Sequence, residues 1–159
     1  MSYQPGKRRS DDLPAVGRLL AIDLGEVRIG LAVSDPTQTI ASPSETLSVP
    51  RNQDGPALDG LVNAVTRHEV VGLVVGEPRQ LDGSEGEPAQ RARWFAERLR
   101  ERTGLPVALW DERFTTTEAE RVMIAGDASR EERRESIDGV AASLFLQAVL
   151  EMQRRRRAG

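Results

Sequence analysis

The chain contains no cysteine, which excludes disulfide bonds, thiolate nucleophiles and cysteine-based zinc sites and fits a reducing compartment. Its only histidine is His68, so a multi-histidine metal centre is excluded, as is a histidine proton relay anywhere away from that residue. Aromatic residues make up 4% of the chain, too few for nucleic-acid binding by extensive base stacking. No apolar run approaches the length that spans a bilayer, and the N-terminal stretch lacks the apolar core of a secretory signal, so the expected setting is the cytoplasm with no membrane partner. Lysine is absent apart from Lys7. The cations are therefore almost all arginine, whose planar fork suits bidentate contact with phosphate. With thiol and imidazole routes closed, hydrolytic chemistry in this chain must rest on carboxylates.

What is present is the composition of a globular protein: 38% apolar and 30% charged residues in a chain of 159. That length provides one buried core and is too short for two ordinary ones. The net charge of −3 does not in itself favour nucleic acid, which leaves any such contact to local patches.

The rest of the chain is organised around Leu19 to Ser34. An apolar run, Leu19 to Ile22, ends in Asp23, and Gly25 follows two residues later. A second run, Ile29 to Val33, starts just beyond Arg28, which predicts a tight hairpin with its turn at Gly25 to Arg28. Glycine at Gly25 and Gly30 permits close approaches that a Cβ would forbid. Asp23 is either a carboxylate presented where a buried strand surfaces or a plain turn-starting residue.

Residues 1–17 are polar and read as a flexible leader. Ser42 to Val49 predicts a third strand, and Leu58, Leu61, Val62 and Val65 place a helix over Pro56 to His68, with His68 as a favourable C-terminal residue. Val70 to Val75 is a continuous β-branched run, the pattern of a strand covered on both faces, and it leads into Gly76-Glu77-Pro78. Ser84 and Glu87 have capping-box spacing for a helix that runs to about Thr103 and stops at Gly104. Val107 to Trp110 predicts a fifth strand ending in Asp111-Glu112-Arg113. Thr117 and Glu120 fit a capping box for a short helix over Glu118 to Ala125, Gly126 to Glu135 reads as a mobile loop, and a last helix holds Ile137, Val140, Ala141, Leu144, Phe145, Ala148 and Val149. The basic run Arg154 to Arg157 closes the chain on a frayed helix end, in a tail over residues 154–159.

A hairpin followed by strands alternating with helices predicts an α/β domain over residues 18–153: a five-stranded mixed sheet with helices on both faces. Right-handed crossovers give the strand order 3-2-1-4-5. Strands one, four and five then run parallel, and their carboxyl ends share an edge that carries Asp23, Glu77 and the Asp111-Glu112 pair. Asp138, in the first turn of the last helix, can fold back over the same edge or simply cap that helix. Clustered carboxylates repel one another and call for a cation, and oxygen-only ligands favour Mg²⁺ or Mn²⁺. Two such ions roughly 4 Å apart are suited to phosphodiester cleavage.

Four segments, DLGEVRIGLAVSDP, VVGEPRQLDGSEG, DERFTTTEA and IDGVAASLFLQ, resemble in the same order the signatures of the YqgF family, and the resemblance runs from Leu19 to about Gln153. It implies a ribonuclease H-like fold related to Holliday-junction resolvases and an activity on precursors of 16S ribosomal RNA. By that resemblance Asp23, Glu112 and Asp138 are the catalytic and metal-holding acids, and Arg28, Arg113, Thr115 and Thr116 contact substrate phosphates. Asp111 should point away from Glu112 if the strand pleat persists. The family pattern has an apolar residue where this chain has Glu77, so Glu77 is either a further ligand or, more simply, a solvent-facing residue at the loop start. The expected partner is structured RNA, with branched DNA as the alternative, for a monomer or a homodimer. Two other classes stay open. An Asp-x-Gly turn also begins actin-like kinases, but those need a second large domain, and a non-catalytic nucleic-acid-binding regulator would carry the acids as relics.

Overall fold

The computed structural model describes residues 13–49, 53–78, 86–112 and 130–158, and for 130–138 the helical backbone alone. Strands β1 (Leu19–Leu24) and β2 (Arg28–Ser34) form the hairpin, with Asp23 opposite Gly30. Its turn closes through a 2.8 Å bond from the Gly25 amide to the Arg28 carbonyl. A Cβ at Gly25 would lie 2.5 Å from that oxygen, so the turn admits only glycine. Strand β3 (Ala41–Ser48) pairs antiparallel with β2 and forms one edge of the sheet, where its Pro43 is tolerated.

Helix α1 (Asp54–His68) leads to β4 (Gly72–Glu77), helix α2 (Glu87–Thr103) to β5 (Val107–Asp111), and the chain ends in the long helix α3 (Arg130–Ala158). The sheet has the order β3-β2-β1-β4-β5, with β1, β4 and β5 parallel, as expected. One face packs Leu20, Ile22, Leu73 and Val75 against Leu61 of α1 and Phe95 and Leu99 of α2. The other packs Leu19, Ala21, Val74 and Trp110 against Phe145, Leu146 and Leu150 of α3. Being buried on both faces is why β1 and β4 read as unbroken apolar runs.

Several local expectations are corrected. Strand β4 starts two residues later than the apolar run indicates and extends through Glu77. The N-cap of α2 is Gly86 rather than Ser84, without a side-chain bond, because Pro88 in the first turn needs no amide partner. Gly104 ends that helix as expected, with φ 69° and its amide bonded to the Arg100 carbonyl. Helix α3 already begins at Arg130, within the stretch expected as a loop, and continues through the arginine run to Ala158. Of the expected leader, residues 1–12 lie outside the described residues. Leu13 is buried, and the Gly17 amide bonds to the Pro36 carbonyl at 2.8 Å. The helix expected over Glu118 to Ala125 also lies outside the described residues. No helix among the described residues is long and apolar enough to cross a membrane.

Candidate active site

Strand parity decides which acids meet. Leu20 and Ile22 of β1 face α1 and α2, whereas Leu19 and Ala21 face α3, and alternation puts Asp23 on the α3 side. In β5, Trp110 lies on the α3 side, so Asp111 turns away and Glu112, the next residue, returns to it. Between the two strands runs β4, which presents Gly76 at this level. A Cβ on Gly76 would come within 2.7 Å of Glu112 Oε1 and 3.2 Å of Phe145 Cε1. The Glu112 carboxyl therefore reaches across a strand that has no side chain at the crossing point, and it meets Asp23.

That contact has an electrostatic signature. The Glu112 carboxyl is pushed up to about 7, first by burial and then by the charge of Asp23, a side-chain hydrogen bond with Asp23, and the charge of Asp111. Two carboxyls in such contact resist ionising together without a cation, so Glu112 keeps its proton until pH approaches about 7.

The third expected acid, Asp138, lies on the helical backbone of α3, and its side chain is outside the described residues. Its neighbour Gly139 seats α3 against the sheet, where a Cβ would lie 3.4 Å from Pro43 Cβ and 3.6 Å from the carbonyl oxygens of Leu31 and Ser44. Leu31 pairs with Ile22, the residue before Asp23. The backbone of α3 thus passes close to the acidic edge at this position.

Glu77 is neither of the things expected of it. It is 1% exposed, so it does not face solvent, and β4 parity turns it to the α2 side, where Arg93 Nε is 3.8 Å from Oε2. Arg28 is exposed at the start of β2. Arg113, Thr115 and Thr116 lie outside the described residues. His68 Nε2 is 2.8 Å from Glu45 Oε1 and 3.3 Å from Ser44 Oγ. Both contacts use one nitrogen, so this cluster forms no relay.

Sequence reasoning missed Arg91. From α2 its Nη1 donates to the Gly25 carbonyl at 2.6 Å, while Nη2 and Nε donate to Asp54 Oδ1 at 3.0 and 3.3 Å. Its guanidinium lies 5.4 Å over the Phe95 ring. One side chain thus holds the turn beyond Asp23 to both helices beneath it. Nothing in the sequence marks it, since arginine on a helix face is the ordinary solvated residue. Arg91→Leu should cost about 2 kcal/mol of stability in denaturant unfolding, because a charged hydrogen bond to a half-buried carbonyl is removed. Arg91→Lys should restore less than half, since an ammonium cannot serve carbonyl and carboxylate in the same fork.

The sheet order and the acids that meet across β4 define a ribonuclease H-like protein. Solved structures agree on the fold: Thermus thermophilus RuvC bound to a Holliday junction has a TM-score of 0.57 at 17% identity, covering 86% of this chain and 95% of its own. The Fowlpox virus resolvase bound to junction DNA has a TM-score of 0.55 at 13% identity, covering 85% and 97%. The family described as "RuvX: Holliday junction resolvase" matches residues 17–152, and the chain belongs to this RuvX, or YqgF, family. Among its relatives, a Jannaschia protein named "Putative pre-16S rRNA nuclease" is 45% identical over 149 residues, 92% of either chain. A Listeria monocytogenes protein of the same name is 40% identical over 134 residues, 84% of this chain and 97% of its own.

Proposed function

We propose that this chain is a metal-dependent nuclease that hydrolyses phosphodiester bonds in structured RNA, and that it acts in the cytoplasm on the precursor of 16S ribosomal RNA. The observation that carries the reading is the meeting of Asp23 and Glu112 across Gly76, at the sheet edge where ligands of open α/β folds bind. The donor set fits the implied cation: both acids offer only oxygen, and their mutual repulsion is relieved by positive charge. Asp23, Glu112 and Asp138 would hold Mg²⁺ or Mn²⁺. When bound, the ions supply activation of a water and neutralisation of the leaving oxygen. The chain's own part is to give up the proton shared by Asp23 and Glu112 and to fix the phosphate through Arg28, Arg113, Thr115 and Thr116. The names borne by the 40–45% identical relatives support RNA as substrate.

A second reading, resolution of branched DNA, draws on the family's description and on the junction-bound structures of the same fold. Resolution requires two symmetric cuts and hence a dimer. A precursor ribosomal RNA and a four-way DNA junction, offered with Mg²⁺, with Mn²⁺ and with chelator, separate the readings. Metal-dependent cleavage of the RNA is expected; paired nicks in the junction by a dimer would favour the second reading. Tight binding with no cleavage of either would overturn both in favour of a non-catalytic regulator.

The shared proton also predicts a pH dependence. Because the Glu112 carboxyl is raised in the folded protein, the fold binds that proton more tightly than the unfolded chain does. Its contribution to stability is complete below the ordinary glutamate range and declines until pH passes about 7. The metal-free melting temperature should therefore fall between pH 5 and pH 8. Added Mn²⁺ should raise it more at pH 8, where no proton competes. Equal stabilisation at both pH values would remove Glu112 from the cation site.

A further inference from the structure

The face of the sheet away from the contact of Asp23 with Glu112 carries a second charged cluster. On β4, Leu73 and Val75 pack toward α1 and α2, and alternation puts Glu77 on the same side. On β5, Val107 and Leu109 do likewise, and Asp111 follows them. Glu77 and Asp111 are register partners, the last pair of the β4–β5 ladder. Two acids therefore lie side by side at the carboxyl edge, beneath α2. Like charges next to each other in neighbouring strands repel, so the pair calls for a cation.

Arg93 is placed to be that cation. It stands on α2 in one row with Ala89 and Ala96, both fully buried against the sheet. Its Nε lies 3.8 Å from Glu77 Oε2. Adjacent strands are ~4.8 Å apart, so a guanidinium that faces Glu77 through Nε has its terminal nitrogens in reach of the next strand, at the position of Asp111. Asp111 also has a partner in the fold. An arginine beside a buried acid commonly does no more than neutralise it, and a buried ion pair adds little stability over apolar residues of the same size. Here the pair sits under a position that matters. Glu112 lies one residue beyond the last ladder pair, so the direction in which its carboxyl leaves β5 depends on how firmly Asp111 is held.

We infer that Arg93 is a positioning residue for Glu112: its guanidinium, oriented by Glu77, also holds Asp111 and so fixes the end of β5 from which Glu112 crosses Gly76. The inference rests on the nuclease reading for the use made of that geometry. Glu77 and Arg93 are on the opposite face from Asp23, so they act on the acids through the ends of β4 and β5 and not by contact.

The test compares wild type with R93L and E77L/R93L at pH 8, by Mn²⁺ titration calorimetry and by the metal-free denaturant midpoint. R93L should bind Mn²⁺ about tenfold more weakly, the usual effect of losing a residue that orients a ligand. Its midpoint should fall, because Glu77 stays buried without its cation. E77L/R93L should regain the midpoint of wild type while its Mn²⁺ affinity stays about tenfold down. Recovery of affinity together with the midpoint, or an R93L that binds Mn²⁺ as wild type does, would overturn the inference. A metal-free cycle of R93L, D111N and R93L/D111N tests the contact itself. The midpoint loss of the double variant should be clearly smaller than the sum of the single losses, and additive losses would overturn the contact and the inference with it. A wild type that binds no Mn²⁺ and cuts no RNA would count against the nuclease reading alone, and the cycle would then decide whether Arg93 holds Asp111.

Discussion

Asp23→Asn should abolish metal-dependent cleavage, by on the order of a thousandfold or more, while leaving the metal-free protein at least as stable as wild type. The activity loss follows from the proposed role of Asp23 as a cation ligand that faces Glu112 across Gly76; a thousandfold corresponds to about 4 kcal/mol of barrier. The stability follows from the same contact. In the absence of a cation, the charge of Asp23 is one of the causes that hold the Glu112 carboxyl near 7, and an amide in its place removes that charge while it can still hydrogen-bond. Burial, the larger cause, remains, so the Glu112 carboxyl should drop only part of the way to its ordinary value. The decline of melting temperature between pH 5 and pH 8 should become shallower to match. An active site kept at a cost to the fold is what a functional pair of acids predicts. If Asp23→Asn cut RNA as wild type does, the assignment of these acids would be wrong. If it lost stability instead, Asp23 would be a structural residue of the turn.

Gly76→Ala should separate the same site from the fold in the opposite way. The new methyl would stand 2.7 Å from Glu112 Oε1 and 3.2 Å from Phe145 Cε1. The Glu112 carboxyl is the far end of a flexible side chain and can swing aside, so its displacement costs little energy and most of the activity. Phe145 is buried, 2% exposed, and cannot leave, so it sets the stability cost, about 1–3 kcal/mol for an overpacked core. Expected together are a drop of roughly a hundredfold in cleavage and in Mn²⁺ affinity, with a modest loss in denaturant midpoint. Adding Phe145→Leu should recover much of the stability and little of the affinity. Recovery of both would mean that the methyl acts through core packing rather than through Glu112.

Much of this was legible in one dimension because the central strands are buried on both faces. That burial demands the unbroken runs Leu19 to Ile22 and Val70 to Val75, and such runs joined by helices leave few topologies once crossovers are right-handed. Asp23 and Glu112 were visible as acids at the ends of such runs. Glu77 was visible too and was misread. Strand β4 continues two residues past its β-branched run, so Glu77 is a strand residue whose parity points it at Arg93. Apolar content marks where a strand is buried, not where its hydrogen-bonded ladder stops. The same limit applied at the N-cap of α2, where Pro88 outweighed the serine signal.

By itself, then, the sequence determined the α/β class, the strand order and the family, since each follows from local pattern or from motif order. Only the tertiary structure decided which acids meet. It showed that the bare backbone of Gly76 opens the crossing for Glu112, that Arg91 ties the Gly25 turn to α1 and α2, and that Arg154 and Arg157 brace a helix end expected to fray. These contacts join residues from 36 to 142 positions apart, in the case of the Gly76 crossing and the Arg157 brace. A short window of sequence carries no signal for such pairs, because side-chain direction and strand parity are settled only when the sheet and its three described helices pack together.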